Sequence, residues 1–176
     1  CYPSAALLAL APLVAAKIID PKQSIIIDAK TGVSGAGRGG GSTFGYAEVN
    51  EDVSAYGLLK HVHVPEMVRT IEALSGVAPR LTFTPHLIPM TRGILATCYA
   101  PAPSGQALAS TEQCLEAARR FYADKPFVRV VDKPLHTKWA TGTNLAFVSY
   151  ASPGSEGSTL LAFGAVDNLG KGAAGQ

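Results

Sequence analysis

The sequence has little charge and few aromatic side chains. Of its 176 residues, 16% are charged and 7% are aromatic, and the formal net charge is only +2. Lysines and arginines form no cluster interleaved with aromatic residues, which argues against nucleic acid as a partner. The apolar fraction of 47% argues against disorder. Length and composition therefore predict one globular domain with a substantial core.

Long hydrophobic runs are also missing. The longest apolar run near the start, residues 5–16, is interrupted by Pro12 and is followed by Lys17. It is too short to span a bilayer and lacks the basic flank of a signal peptide. We expect no membrane contact and a cytoplasmic location, or a plastid location if the source is a plant.

The sequence has only three cysteines, and no two of them lie close together in the chain. Cys1, Cys98 and Cys114 form no CxxC motif and no cluster with histidine. The pattern predicts free thiols in a reducing compartment and no metal site. The chain starts without methionine and stops in the small-residue stretch GAAGQ. We expect residues 1–176 to be one domain excised from a longer chain.

The order of the elements predicts an α+β fold, a mostly antiparallel or mixed sheet with helices on one face. Helices are expected at residues 4–19, 65–74 and 110–122, the first kinked or shortened by Pro12 and the last capped by Ser110 or Thr111. Strands are expected at residues 24–29, 80–85, 93–100, 127–131, 144–150 and 159–166, with residues 58–63 also extended. The segment 166–172 should leave a strand and enter a helix.

Cys1 directly precedes the first predicted helix. A helix N-terminus carries positive partial charge and free N–H groups, which favour a thiolate and hence a nucleophile. Taken alone, a cysteine beside an apolar helix is more often a small buried residue.

Two histidines, His61 and His63, stand two apart in HVHVPE, just before a helix that holds Glu66 in its first turn. On a strand both imidazoles would point to one face, where either could act as general base or acid. A metal pair would need a third ligand, and only His86 and His136 remain among the histidines.

A glycine-dense loop covers residues 31–43 and contains GAGRGG, a formal GxGxxG match. A dinucleotide site would require an apolar helix immediately afterwards, which GSTFGY does not supply. The loop is better interpreted as an anion-binding segment in which backbone N–H groups act with Arg38, or as a linker.

Two further segments present polar side chains. The stiff loop PHLIPMTRG presents His86 and Arg92, and an arginine there suits a carboxylate or phosphate, or a structural ion pair. Asn168 and Lys171 in VDNLGKG could reach a cofactor amide or an anion, or Asn168 could cap a helix.

Together, CYPSAALLAL, TGVSGAGR, HVHVPE, FTPHLIPMTRGIL and VDNLGKGAAGQ resemble N-acetyl-gamma-glutamyl-phosphate reductases along the whole chain. The resemblance implies the catalytic, oligomer-forming domain of an enzyme organised like glyceraldehyde-3-phosphate dehydrogenase. NADP(H) would be bound mainly by an N-terminal Rossmann domain outside this chain. The enzyme would be a homo-oligomer, dimer or tetramer, acting on a small acyl phosphate.

The resemblance also implies roles for individual residues. Cys1 would attack the acyl phosphate and form a thioester, which accepts hydride from NADPH. His63, or else His61, would move the proton, and Glu66 would orient the histidine. The remaining implied ligands are Arg38, Arg92, His86 and Ser34 for the substrate's phosphate and carboxylate, and Asn168, Lys171 and Gly35 near the nicotinamide.

Three other functions compete with this interpretation. A related reductase could act on the carrier-bound aminoadipyl phosphate of lysine biosynthesis, with a different pocket wall. Aspartate-semialdehyde dehydrogenase is disfavoured by the HVHVPE context. A non-catalytic domain used for oligomerisation would also explain the apolar strands.

Overall fold

The computed structural model describes residues 1–36 and 44–175. Five helices and seven strands are assigned within these ranges. The helices are α1 (Tyr2–Ala15), α2 (Tyr46–Val49), α3 (Val64–Ser75), α4 (Thr111–Phe121) and α5 (Thr137–Ala140). The strands are β1 (Ser24–Thr31), β2 (Ser54–Ala55), β3 (Arg80–Leu87), β4 (Ile94–Pro101), β5 (Val128–Val130), β6 (Ala146–Ala151) and β7 (Thr159–Val166).

The seven strands form one mixed sheet in the order β2-β3-β1-β4-β7-β6-β5. The β1–β3 and β5–β6 pairs are parallel, and the other four pairs are antiparallel. The predicted α+β class with a mostly antiparallel sheet is therefore confirmed.

Helix α1 lies across the centre of the sheet, with α3 and α4 beside it. Its residues Ala5, Ala6 and Ala9 are fully buried, and the strands beneath it contribute small residues such as Ala96 and Gly164. Small residues on both sides let the helix backbone approach the sheet closely. The helix is apolar all round because neighbouring elements cover most of its surface.

The prediction that Pro12 would shorten α1 is wrong, since the helix continues through this proline to Ala15. Proline has no N–H to donate to the carbonyl of Leu8. The hydroxyl of Tyr122 donates to that carbonyl instead, at 2.7 Å. The helix then ends before residue 19, where Lys17 adopts a positive φ and the Ile18 amide donates to the Leu13 carbonyl.

Two further local predictions are wrong. Residues 57–63 form turns and not an extended strand. The segment after β7 also forms successive turns, in which Gly172 and Gly175 donate to the carbonyls of Asp167 and Gly170 five residues earlier. Five-residue spacing departs from the four-residue spacing of an α-helix.

One short helix, α5, lies on the face of the sheet opposite α1. Its Trp139 contacts Phe147 of β6. The side chain of Phe147 points to the opposite face of the sheet from those of Ala146 and Val148, because side chains alternate along a strand. Tyr150, on the same side of β6 as Val148, donates its hydroxyl to α1. The prediction of helices on one face therefore holds for α1, α3 and α4 but not for α5.

Candidate active site

Cys1 and both histidines of HVHVPE line one cavity of about 270 Å³. A larger open groove of about 640 Å³ lies between α1 and α4, but it contains no thiol and no imidazole. We assign the site to the smaller cavity because it combines a nucleophile with bases. Its other lining residues are Tyr2, Thr31, Gly32, Gly35, Ala36, Phe44, Tyr56, Val62 and Leu87.

Cys1 is the N-cap of α1, as predicted, and its side chain makes no capping hydrogen bond. The thiol is half-buried and lies at the positive end of a 14-residue helix. The other two thiols are fully buried, and burial raises the pKa of Cys114 to about 11 and that of Cys98 further still. Of the three cysteines, Cys1 is thus the one placed to act as a nucleophile.

The two histidines meet through a turn. Their ring centroids are 4.9 Å apart, and the His63 amide donates to Nδ1 of His61 at 3.2 Å. Edge-on contacts with Tyr2 and Phe83 hold the rings, with Tyr2 to His61 at 5.6 Å. A neutral His61 therefore carries its proton on Nε2, because Nδ1 is occupied as an acceptor.

Both imidazoles are poised to be neutral. Burial lowers the pKa of His61, and burial is also the largest cause that lowers the pKa of His63 to about 4, with the positive charge of His61 adding to it. Nδ1 of His63 is buried and has no hydrogen-bond partner among the described residues. A neutral imidazole beside a thiol can accept its proton.

The depressed pKa of His63 predicts a pH-dependent stability. Between pH 6.5 and about 4 the unfolded chain binds a proton that the folded chain excludes, so stability falls as the pH is lowered through this window. We expect His63→Gln to reduce the acid-induced decrease in the free energy of unfolding by about 1 kcal/mol. This value is smaller than the full pKa shift would give, because solvent screens the half-exposed ring. Urea unfolding at pH 7 and pH 4.5 measures it. His136→Gln controls for the loss of a histidine as such, and equal pH dependence in wild type and His63→Gln would contradict the prediction.

The glycine loop contributes its first part to the cavity. Residues Val33–Ala36 form a 3-10 turn, with Gly35 and Ala36 exposed at the cavity wall. Ser34 does not line the cavity and accepts a hydrogen bond from Asn168 Nδ2 at 2.8 Å. The predicted anion ligand Arg38 lies outside the described residues.

Arg92 and Asn168 take part in a buried polar network. Arg92 pairs with the fully buried carboxylate of Asp167 at 3.3 Å, which is the structural alternative weighed for this arginine. Asn168 is 2% exposed, its Oδ1 accepts from the Gly93 amide, and its Nδ2 donates to Ser34. Both ends of the Asn168 amide are therefore engaged within the chain.

Three other predicted residues lie away from the cavity. His86 projects to the opposite face of the sheet from Leu87, and its Nδ1 lies 3.0 Å from Asp28. Lys171 donates to the Gly175 carbonyl and lies over Phe127. Glu66 is exposed in the first turn of α3 and makes no hydrogen bond to either histidine among the described residues.

The sequence model of the family described as "Semialdehyde dehydrogenase, dimerisation domain" matches residues 1–168. The chain belongs to this family. The cavity that holds Cys1 is thus the candidate active site of a semialdehyde dehydrogenase dimerisation domain.

Three bacterial N-acetyl-gamma-glutamyl-phosphate reductases are similar in sequence to the whole chain. The chain is 64% identical over its full length to the N-acetyl-gamma-glutamyl-phosphate reductase of Methylobacterium sp. (strain 4-46) and covers 53% of that protein. It is 63% identical to the reductase of Bradyrhizobium sp. (strain ORS 278), covering 52%, and 44% identical to that of Dehalococcoides mccartyi (strain CBDB1), covering 50%. In each case all of the chain is matched. The chain spans about half the length of these relatives.

Solved structures share the fold of this semialdehyde dehydrogenase domain. Aspartate semialdehyde dehydrogenase II from Vibrio cholerae, complexed with ASA, matches with a TM-score of 0.71 and 16% sequence identity. The match covers 96% of this chain and 55% of that one. At this identity the likeness concerns the fold alone.

Sequence reasoning missed part of the cavity wall of this family member. Tyr2 and Tyr56 share a hydroxyl–hydroxyl hydrogen bond of 2.9 Å, and Phe44 packs edge-on against Tyr56. Tyr2 follows the nucleophile directly, so its position was a usable signal. Tyr56 reaches the cavity through its loop, and no periodic pattern marked it.

The described part of the semialdehyde dehydrogenase domain has neither a cluster of metal-binding side chains nor a membrane-spanning helix. In residues 1–36 and 44–175, histidine, cysteine and acidic side chains form no group of three or more able to hold a metal ion. Within the same ranges, no helix has both the length and the apolar character needed to cross a membrane.

Proposed function

We propose that the chain is the catalytic domain of an NADPH-dependent reductase that converts N-acetyl-gamma-glutamyl phosphate to N-acetylglutamate semialdehyde in arginine biosynthesis. The observation that carries the proposal is the shared cavity of Cys1, His61 and His63 in a chain 64% identical to such a reductase. The longer protein would be cytoplasmic and would contain a cofactor-binding Rossmann domain outside residues 1–176.

Cys1 begins the reaction. His63 accepts the thiol proton, Sγ attacks the acyl carbon, the carbon–oxygen bond to phosphate breaks, and phosphate leaves. The product is a thioester at Cys1, which accepts hydride more readily than a carboxylate does. His63 is suited to this role because it lines the cavity with Cys1 and burial keeps its imidazole neutral.

His61 has a different role from His63. Its Nδ1 accepts the His63 amide, so its Nε2–H is available to donate to the oxygen that gains negative charge when the thioester is reduced. When the hemithioacetal collapses, the carbon–sulfur bond breaks, the Cys1 thiolate departs from the substrate as the aldehyde forms, and the histidine pair accepts the hydroxyl proton. Two adjacent imidazoles thereby divide donor and acceptor functions.

NADP(H), when bound, supplies the hydride. The cavity wall fits the reacting end of this cofactor because Gly35 and Ala36 are exposed there and carry no side chain larger than a methyl group. The described residues do not form a dinucleotide site, since α2, the next helix after the glycine loop, is only four residues long. Most of the cofactor would therefore bind to the other domain.

The substrate's anionic groups require ligands near the cavity. We propose the backbone N–H of Gly35 together with Arg38 for the phosphate, because the Ser34 amide already donates to the Thr91 carbonyl at 3.1 Å. Arg92 is half-exposed and already pairs with Asp167. Its exposed side could bind the substrate's carboxylate only at the edge of the site. His86 is less suited, because it lies on the other face of the sheet.

The test is NADP reduction by the full-length protein in the reverse direction, with N-acetylglutamate semialdehyde and inorganic phosphate. We expect strict dependence on phosphate and a preference over aspartate semialdehyde and aminoadipate semialdehyde. Activity with one of the other two alone would replace the substrate assignment, and no activity from a folded protein with any of them would overturn the reductase.

The family description as a dimerisation domain supports self-association of the chain. Ile26, Tyr99 and Leu161 are aligned across β1, β4 and β7 on the face opposite α1, where the contacts of α5 lie at β6 and β7. Ile26 is 43% exposed. We propose that this sheet face pairs with that of a second copy.

A charge on this face should dissociate the oligomer. We expect Ile26→Lys to lower the association constant by at least 100-fold, because pairing would bury an ammonium without a partner. Sedimentation velocity over a concentration series measures it. Leu74→Lys on α3 is the matched control, since Leu74 is 42% exposed on the helix layer. Equal dissociation in both variants, or in neither, would contradict the proposed face.

A further inference from the structure

The turns that follow β7 lie directly against Cys1. A Cβ placed on the buried residue Gly172 would be 2.9 Å from the Cβ of Cys1, and 3.0 Å from both the Cα of Asn168 and the carbonyl oxygen of Asp167. Such distances are shorter than almost all real contacts of a Cβ. The absence of a side chain on Gly172 thus allows the backbone of this segment to approach the Cβ of Cys1 closely.

The segment is held in place by side chains that the chain buries completely or nearly so. Asp167 accepts hydrogen bonds from the amides of Gly142 at 2.6 Å and Leu169 at 2.8 Å, and it pairs with Arg92. Burial alone would raise the pKa of Asp167, but these partners outweigh it and lower the pKa below its usual range. The carboxylate therefore stays ionised and bound at neutral pH.

Asn168 joins the same segment to two others. Its Oδ1 accepts from Gly93 before β4, and its Nδ2 donates to Ser34 in the turn beside the cavity. The Gly172 amide then donates to the Asp167 carbonyl at 2.8 Å. A continuous set of contacts thus runs from three loops to Gly172, which lies beside Cys1.

We propose that Gly172, fixed by Asp167 and Asn168, is a positioning residue that sets the place of the Cys1 Cβ and thereby of the thiol that this carbon carries. This inference rests on the proposed role of Cys1 as nucleophile. Cys1 makes no side-chain capping hydrogen bond, and the close approach of Gly172 limits where the Cys1 Cβ can lie. The polar residues Asn168 and Arg92 then act on the reaction through the placement of the thiol.

The kinetic test is Gly172→Ala in the full-length protein. Displacing a nucleophile by a fraction of an ångström to 1 Å costs up to about 100-fold in rate. We expect kcat to fall roughly 100-fold with KM changed less than about threefold, because the substrate's ligands lie elsewhere in the cavity. The rate of Cys1 alkylation by iodoacetamide should change about tenfold. Ala173→Ser adds an atom to the exposed neighbour in the same turn and should change neither rate.

A double-mutant cycle separates positioning from a general packing defect. Cys1→Gly removes the Cβ that Gly172→Ala would meet. We expect Gly172→Ala to lower the urea midpoint clearly less in the Cys1→Gly background than in wild type. If Gly172→Ala folds only in that background, the contact is also demonstrated.

Two outcomes would overturn the inference. One is an equal loss of urea midpoint, or failure to fold, in both backgrounds. The other is a folded Gly172→Ala variant whose kcat and alkylation rate match the wild type. The alkylation rate and the cycle need no substrate, so they remain decisive if the proposed reductase activity is absent.

Discussion

Replacement of Cys1 by serine is expected to lower kcat by roughly 10⁴-fold or more, with the protein fully folded. A thiolate forms near neutral pH at a helix N-terminus, whereas a serine hydroxyl does not ionise there. A serine ester would also accept hydride less readily than a thioester. Single-turnover kinetics of the full-length protein and its mass after incubation with the acyl phosphate alone give the measurement. Wild type should gain one acyl group at Cys1, and Cys1→Ser should gain none.

The control is Cys114→Ala, which removes a thiol that lies buried in α4 and whose pKa is raised to about 11. It should keep activity within about twofold of the wild type, because it lies outside the cavity. If Cys1→Ser retained more than about 1% of the activity, or if Cys114→Ala lost as much, covalent catalysis at Cys1 would be refuted.

The largest effect on stability is expected for Gly164→Ala in the central strand β7. An added Cβ would lie 1.9 Å from the carbonyl oxygen of Ala5 in α1. That atom belongs to a helix backbone and cannot rotate away, so the helix must shift by about 1.5 Å to reach ordinary contact at 3.4 Å. We expect a loss of about 3 kcal/mol or more in the free energy of unfolding, measured by urea denaturation.

Gly105→Ala separates close approach from backbone strain. Gly105 has a φ of +77° and no atom within 4 Å of an added Cβ. It should lose only about 1 kcal/mol, from the left-handed conformation alone. Equal losses in the two variants would mean that α1 does not lie as close to β7 as the structure shows. Because α1 carries Cys1 at its N-cap, Gly164→Ala should also lower the activity of the folded fraction.

Much of the fold could be predicted because its elements carry local signals. The cap of α4 at Ser110 or Thr111, the amphipathic face of α3 and the β-branched strand β1 were identified from neighbouring residues alone, and the structure places the cap at Ser110. The continuation of α1 through Pro12 could not be, because Tyr122 supplies the replacement hydrogen bond from more than a hundred residues away.

The candidate site was predictable in part. Cys1, His61 and His63 were selected from short motifs and do share a cavity. The reason given for the histidines was wrong, since a turn and not a strand brings their rings together. Tyr56 was missed because a tyrosine in a loop has no spacing that marks it.

The sequence by itself determined the class of fold, the likeness to N-acetyl-gamma-glutamyl-phosphate reductases, and the position of Cys1 at the start of a helix. These depend on residue types and short spacings, which local physical chemistry is sufficient to interpret. Only the tertiary structure decided which polar residues face the cavity. It directed Arg92 and Asn168 into a buried network, placed His86 on the opposite face of the sheet, and brought Gly172 against Cys1. Those outcomes depend on contacts between residues far apart in the chain. Buried polar groups must find hydrogen-bond partners, and no local sequence pattern encodes which distant residues provide them.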